Sequence, residues 1–201
     1  TYALEDSYVC VIEALKQASY WQGFKPNYSW VNAQEIEQKG TDILQGFDGI
    51  IVPQGWGSRG VEGKILAAQY AREQRVPYLG LCFGMQMAVI EFARNVLGIK
   101  DADTVENNPS TVNPVISLME EQKKVMNLGG TMRLGAFPCA LSRGSLSRKS
   151  YGKDLITERH RHRFEFNNDY LKRFEDAGMI ISGKSPDGGL VEMVELKDHP
   201  W

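Results

Sequence analysis

The chain has 201 residues, 25 acidic and 23 basic, and a formal net charge of −2. This length is enough for one packed domain, and so small a net charge creates no general field that would attract nucleic acid or an anionic membrane. The 42% hydrophobic and 24% charged content is typical of a globular protein. No stretch is apolar enough to span a bilayer, and the first residues lack the pattern of a signal peptide.

The three cysteines, Cys10, Cys82 and Cys139, are widely spaced and include no C-x-x-C pair. An odd and scattered set argues against both a disulfide framework and a zinc site. We therefore expect a reducing, cytoplasmic setting. Cys10 and Cys139 have no glycines around them and are interpreted as structural.

The first half of the chain alternates helical and strand patterns. Short apolar strands that alternate with helices indicate a parallel sheet covered on both faces. The sequence thus predicts an α/β fold with three layers, a mostly parallel sheet flanked by helices. Helices are predicted at 7–23, 61–74 and 84–96, and strands at 28–31, 49–52 and 76–81.

The second half changes character. Residues 101–148 are rich in proline and glycine and are interpreted as loops and hairpins inserted into the main fold. A charged strand around R-H-R-H-R and a helix at 168–176 follow. The turn signal P-D-G-G then separates strands predicted at 179–182 and 190–196. With no repeat or linker in the sequence, residues 1–201 are predicted to form a single domain.

Cys82 stands between two glycines at the end of a predicted strand, in Gly80-Leu-Cys-Phe-Gly84, directly before a predicted helix. The pattern is that of a nucleophile elbow, in which glycines permit a tight turn from strand to helix. The positive end of the helix dipole favours a thiolate, and the N–H of Phe83 is placed to stabilise an oxyanion. The alternative is a small apolar cysteine at a strand end.

A second loop, P-Q-G-W-G-S-R-G, follows the strand predicted at 49–52. In a parallel sheet both loops lie at the carboxyl edge, where active sites form. An unobstructed N–H near Gly55 is therefore a candidate for a second oxyanion donor. A phosphate-binding loop is the alternative, but neither G-x-x-x-x-G-K-[ST] nor G-x-G-x-x-G is complete.

Four motifs together resemble the glutamine amidotransferase domain of the CTP synthase family, within the class I amidotransferases with the flavodoxin-like arrangement. They are G-L-C-F-G-M-Q, G-G-T-M-R-L-G-A-F-P-C, E-R-H-R-H-R-F-E-F-N-N and S-P-D-G-G-L-V-E-M-V-E-L-K-D-H-P-W. The resemblance covers essentially the whole chain.

This resemblance implies hydrolysis of L-glutamine to glutamate and ammonia through a thioester on Cys82. Ammonia would pass to an N-terminal synthetase domain of the same chain, which uses ATP and Mg²⁺ to aminate UTP to CTP. GTP would activate the glutaminase step, and the full-length protein would form a homotetramer. The domain itself would hold no cofactor and no metal.

The resemblance also implies the residues of the site. The N–H groups of Gly55 and Phe83 would form the oxyanion hole. Arg133 would belong to a mobile segment used in activation by GTP.

Three further residues match positions that hold the substrate glutamine: Gln86, Glu106 and Arg163. Glu106 would lie near its ammonium group and Arg163 near its carboxylate, and an arginine fork suits a carboxylate.

The sequence departs from the family at two places. Gln54 replaces a usual glycine, so we expect a strained φ or a crowded loop there. The chain also stops at D-H-P-W, before the strand that carries the catalytic His-Pro-Glu, and most of the family's first strand is missing. The chain is accordingly interpreted as part of a larger enzyme, inactive or very weak by itself.

Three histidines are present. His160 and His162 alternate along a predicted strand and should share one face, while His199 resembles the family's structural D-H-P. An H-x-H pair suits a metal, but no companion ligand spacing accompanies it. None of the three is predicted to be the base.

Two alternatives remain open. One is a non-catalytic regulatory or interaction domain that keeps the fold without the base. The other is a free-standing γ-glutamyl hydrolase or another thiol hydrolase, which also suits the elbow but matches G-G-T-M-R-L-G poorly.

Overall fold

The structure, a computed structural model, describes residues 5–118 and 132–200. The G-G-T part of the motif around Arg133 and the terminal Trp201 lie outside the described residues, as do residues 1–4.

Helices and strands alternate over residues 50–104, and strands predominate after them. The helices are α1 (Val9–Trp21), α2 (Ala33–Lys39), α3 (Val61–Gln74), α4 (Phe83–Asn95), α5 (Leu146–Tyr151) and α6 (Leu171–Asp176). The strands are β1 (Ile50–Val52), β2 (Tyr78–Gly80), β3 (Ala102–Thr104), β4 (Asn113–Leu118), β5 (Arg133–Leu141), β6 (Leu155–His162), β7 (Phe164–Phe166), β8 (Met179–Lys184) and β9 (Val191–Leu196). None of these helices has the length and apolar character that a transmembrane span requires.

The described strands form three sheets, in the orders β1-β2, β3-β4-β7 and β6-β5-β8-β9. The α/β class is confirmed, and the predicted parallel pairing occurs in β1-β2 and β3-β4. The other described pairs are antiparallel. Connections as short as the S-P-D-G-G turn between β8 and β9 can join only antiparallel neighbours, because a parallel pair needs a long crossover.

The predicted helices 61–74 and 84–96 correspond closely to α3 and α4, whereas the strand predicted at 28–31 is wrong. Residues 28–31 form no regular structure and pair with no strand of the described chain. Aromatic and β-branched residues gave that stretch a strand-like composition, but strand propensity depends on available neighbours. Asn32 then begins α2, and its side-chain oxygen accepts a hydrogen bond from Gln34 N at 3.0 Å.

Helix α4 lies at the centre of the largest hydrophobic core. Met87, Val89 and Ile90 are fully buried, and Phe92 stacks on Phe174 with ring centroids 5.6 Å apart. Close packing on all sides leaves this helix little freedom to shift. The residue at its start, Cys82, is therefore held in a fixed position.

One buried ion pair joins α4 to α3. Glu91 is fully buried and accepts hydrogen bonds from Arg72 Nε at 3.0 Å and Nη2 at 2.8 Å. Asn95 Nδ2 also donates to Glu91, at 3.0 Å. Removing one member of such a pair leaves the other charge without its partner, which costs far more than breaking an exposed pair.

We predict that Glu91→Gln lowers the free energy of unfolding by about 3 kcal/mol, measured by urea denaturation. The matched control is Glu62→Gln, which removes an ion pair with Arg94 in which the glutamate side chain is 58% exposed. That control should cost less than about 1 kcal/mol. Equal losses in the two variants would contradict the importance assigned to the buried pair.

Candidate active site

Cys82 lies in the tight turn between β2, which ends at Gly80, and α4, which begins at Phe83. Its backbone has φ 54° and ψ −103°, a conformation that residues with a side chain rarely adopt. Strain of this kind persists only where surrounding packing enforces it, and it clusters at functional sites. The strand–turn–helix geometry predicted for an elbow is present.

Both glycines of the elbow are required because neighbouring backbone atoms lie too close to leave room for a side chain. A Cβ on Gly84 would lie 2.0 Å from the carbonyl oxygen of Val52 in β1, and a Cβ on Gly80 would lie 2.6 Å from the backbone of Gly84. No side chain fits at either position. The first turn of α4 thus lies directly against β1 and β2, as the G-x-C-x-G pattern predicted.

The loop after β1 lies beside the elbow. A Cβ on Gly55 would be 3.6 Å from Cδ1 of Phe83, so the two proposed oxyanion donors belong to neighbouring segments. No hydrogen bond within the described residues uses the N–H of Gly55, which leaves it available to a ligand. The strained φ expected at Gln54 is wrong, because the described non-glycine residues with positive φ are Arg75, Cys82 and Asp198.

Neighbouring residues hold this loop in place. The hydroxyl of Tyr8 donates to the carbonyl of Gln54 at 3.3 Å, and the N–H of Gly57 donates to Glu106 Oε1 at 3.1 Å. Gly57 has φ 74°, which glycine adopts without strain. The carboxylate of Glu106 is thereby fixed close to the loop.

A cavity of about 1010 Å³ opens in front of Cys82. Gly55 and Gln86 also line it. Gln86 Nε2 donates to the carbonyl of Phe164 at 3.0 Å, while its buried Oε1 has no hydrogen-bond partner among the described residues. Glu106 is near enough to interact electrostatically with the thiol of Cys82. The structure thus places Cys82, Gly55 and Gln86 on the cavity, with Phe83 directly behind Cys82, whereas Glu106 is not among the residues that line it.

Arg163 is placed less directly. It is half-buried at the bend between β6 and β7, next to Phe164, which bonds Gln86. It is not among the residues that line the cavity. A bound carboxylate would therefore have to meet its guanidinium at the margin of the site.

The start of α4 favours the thiolate of Cys82 as expected, through the Phe83 backbone, but burial outweighs this effect. Burial raises the pKa of Cys82 to about 11, and Glu106 and Glu165 raise it further, while the hydrogen bond from the Phe83 backbone lowers it. Desolvation penalises the anion more than the helix start favours it. The thiol is protonated near neutral pH, and its use as a nucleophile needs a base.

Five residues form a buried cluster of ionisable groups, Arg133, His160, His162, Glu165 and Glu192, and all of them except Arg133 line the cavity. Arg133 makes a bidentate pair with Glu192, with Nη1–Oε2 and Nη2–Oε1 distances of 2.8 and 2.5 Å, and lies 3.6 Å from Glu165. Burial raises the pKa of Glu165 to about 8. Arg133 is the first residue of β5, and its guanidinium is bound within this cluster. The family resemblance instead implied a mobile segment that takes part in activation by GTP.

The histidines do not provide the base. His160 and His162 share a face as predicted, with Nδ1 and Nε2 2.8 Å apart. Burial, His160 and Arg133 lower the pKa of His162 to about 4. His199 Nε2 donates to the carbonyl of Arg72, and no histidine of the described residues bonds Cys82. Nor does any group of three or more His, Cys, Asp or Glu there suit a metal.

Sequence reasoning missed three residues that line the same cavity: Lys64, Glu165 and Glu192. Lys64 had a visible signal, since it occupies the inward stripe of α3 between Val61 and Ala68. Glu165 and Glu192 had no such signal in the sequence. The alternation of side chains along β7 and β9 does not reveal which face of each strand meets the site.

The sequence matches a family model, glutamine amidotransferase class-I, over residues 3–201. The chain belongs to this family. It is also similar to the solved glutaminase domain of CTP synthase from Trypanosoma brucei, with bound acivicin, at 35% identity and a TM-score of 0.90. That likeness covers 98% of this chain and 78% of the solved one.

Among curated proteins, the chain is 54% identical to the CTP synthase of Synechococcus sp. (strain CC9311) and 51% identical to that of Bacillus licheniformis. Each match covers 98% of this chain. The chain spans 36% and 37% of the length of these two relatives.

The pH dependence of thiol alkylation tests the protonated state of Cys82. In a Cys10→Ser background, which removes an exposed thiol, iodoacetamide labelling of Cys82 should accelerate about tenfold per pH unit from pH 7 to about 10. The deprotonated fraction grows in that way below a pKa of about 11.

Peptide mass mapping supplies the measurement. A further Cys82→Ser change should remove the labelling, because Cys139 is fully buried. A rate that levels off below about pH 8.5 would show that the helix end governs the thiol after all.

Proposed function

We propose that this chain is the glutaminase domain of a CTP synthase, which hydrolyses L-glutamine to supply ammonia for the ATP-dependent amination of UTP. The observation that carries the proposal is the position of Cys82, which stands in a strained elbow at the start of α4 and faces a cavity beside the N–H groups of Gly55 and Phe83. Family membership and the likeness to CTP synthases support it.

In the proposed reaction, a base takes the proton of Cys82 and the sulfur attacks the γ-carbonyl carbon of glutamine. The carbonyl oxygen becomes an oxyanion, which accepts hydrogen bonds from Gly55 and Phe83. The C–N bond then breaks, its electron pair leaves with nitrogen, and a proton is returned to form ammonia. Water hydrolyses the resulting thioester, releasing glutamate and restoring the thiol.

This sequence depends on the base. With a pKa of about 11, the thiol of Cys82 is almost entirely protonated at pH 7. His162, with a pKa of about 4, is too weak a base to accept the proton. We infer that the base lies outside the described residues, in the His-Pro-Glu strand that the family resemblance implies.

Glutamine is a zwitterion, so its recognition needs an acid and a base. We propose that Glu106 binds the ammonium group and that Arg163 binds the carboxylate, with Gln86 at the floor of the cavity. The fixed position of Glu106, bonded to Gly57 N at 3.1 Å, supports the first assignment. The place of Arg163 next to Phe164 supports the second, since Gln86 bonds the same residue.

We further propose that residues 1–201 act as a single domain together with an N-terminal synthetase domain that binds ATP, Mg²⁺ and UTP. GTP would activate the glutaminase step, in a cytoplasmic homotetramer. The chain spans 36% and 37% of the length of two CTP synthases, so the remaining length of these relatives is large enough for a second domain. A non-catalytic domain of the same fold is the second candidate, favoured by the protonated state of Cys82.

Replacing the nucleophile decides between these candidates. In the longest chain that the gene encodes, Cys82→Ala should reduce glutamine-dependent CTP formation at least about a thousandfold, while ammonia-dependent formation stays intact, because only ammonia release uses the thiol. Release of glutamate and formation of CTP are the two measurements.

Cys10→Ala is the control, because this exposed thiol lies outside the cavity, and it should leave both activities unchanged. Full glutamine-dependent activity in Cys82→Ala would rule out the assigned nucleophile. A wild-type protein that releases no glutamate would favour the non-catalytic domain.

A further inference from the structure

Within the described residues, Lys64 is a buried cation without a carboxylate ion-pair partner. Its residue is only 6% exposed, and no carboxylate of the described chain lies within 4 Å of its ammonium group. Burial lowers its pKa, while the more distant charges of Glu37 and Glu106 raise it in part. Placing an ammonium group in such a site costs free energy unless a compensating interaction is present at some stage of function.

Three contacts of Lys64 involve the two segments that carry the proposed oxyanion donors. Nζ lies 4.7 Å from the ring centroid of Phe83, within the range of a cation–π contact. It lies 3.7 Å from the place a Cβ on Gly55 would occupy, and it donates to the carbonyl of Arg59 at 3.5 Å. The ammonium group thus lies between the loop after β1 and the start of α4.

The backbone that presents Lys64 is fixed as well. A Cβ on Gly63 would lie 1.9 Å from the carbonyl oxygen of Ala33, so α3 rests directly on α2 at this point. The N–H of Gly63 also donates to Glu37 Oε1 at 3.2 Å. Lys64 also lines the cavity in front of Cys82, and its own burial strengthens its electrostatic interactions there.

We propose that Lys64 is a positioning residue for glutamine hydrolysis. Its ammonium group holds the loop around Gly55 against Phe83, so that both N–H groups converge on the developing oxyanion. Its positive charge is partly neutralised only when that negative charge forms. Lys64 keeps its protons throughout and makes no bond to the substrate. This inference rests on the proposed glutaminase function.

The expected signature is a change in kcat without a change in KM. Interactions that strengthen only in the transition state alter kcat, whereas those present equally in the ground state alter KM. A lysine that merely fills space could be replaced by methionine, which has a similar length and no charge, with no kinetic effect.

The test is Lys64→Met in the longest chain that the gene encodes, with glutamate release measured at several glutamine concentrations. We expect kcat to fall about 10- to 100-fold, with KM within about twofold of wild type and an undiminished thermal midpoint. Lys64→Arg, which keeps the charge, should retain at least about ten times the kcat of Lys64→Met. Lys39→Met, which removes an exposed lysine, should match wild type.

Two results would overturn the proposal: an unchanged kcat in Lys64→Met, or a joint loss of kcat, substrate affinity and thermal stability, which marks a structural role. If Lys64→Met does not fold, Lys64→Gln replaces it under the same criteria. A wild-type protein without glutaminase activity would overturn the proposed function and this inference together. An active wild type with an unaffected Lys64→Met would overturn this inference alone.

Discussion

The contact between the first turn of α4 and the end of β1 determines the geometry of the whole site. At Gly84 a single extra carbon would collide with the carbonyl oxygen of Val52 at 2.0 Å, so helix and strand touch through their backbones. Next to this contact, Cys82 adopts a positive φ of 54° with ψ −103°. The strain is of the order of 1–3 kcal/mol, and the burial of most of α4 in the core supplies the packing that sustains it.

The same burial sets the electrostatics of the site. It keeps Cys82 protonated, lowers the pKa of Lys64 and raises that of Glu165. Each group is thus biased towards its neutral form, as expected for ionisable groups that folding removes from water. In such a site the protonated thiol is a poor nucleophile until a base removes its proton. The buried ionisable groups then interact strongly with the negative charge that develops during the reaction. This explains how a strained, accessible elbow and an unactivated thiol occur together.

Much of the fold could be predicted from the sequence, because its signals are local. The apolar stripes of α3 and α4 and the glycines around Cys82 directly specify helices and a tight turn. The strand predicted at 28–31 failed because a strand also needs a pairing partner, which composition does not reveal. In the second half of the chain, the length of each turn determines whether the strands it joins pair parallel or antiparallel. The sequence revealed only some of these turns.

The site was predicted less completely, for a physical reason. The positions of Gly55, Phe83 and Glu106 followed from loops at the ends of strands and from the family resemblance. The state of ionisation did not, because it depends on desolvation by groups distant in sequence. The bidentate pair of Arg133 with Glu192 joins residues 59 positions apart, and nothing local announces it.

The most direct test is to trap the covalent intermediate. The full-length gene product is mixed with glutamine, quenched in acid within the first turnovers, and digested for peptide mass analysis. The account predicts one added γ-glutamyl group on the peptide that contains Cys82, lost on treatment with hydroxylamine. A γ-glutamyl group on another residue, or glutamate release at full rate with Cys82 unmodified throughout, would contradict it.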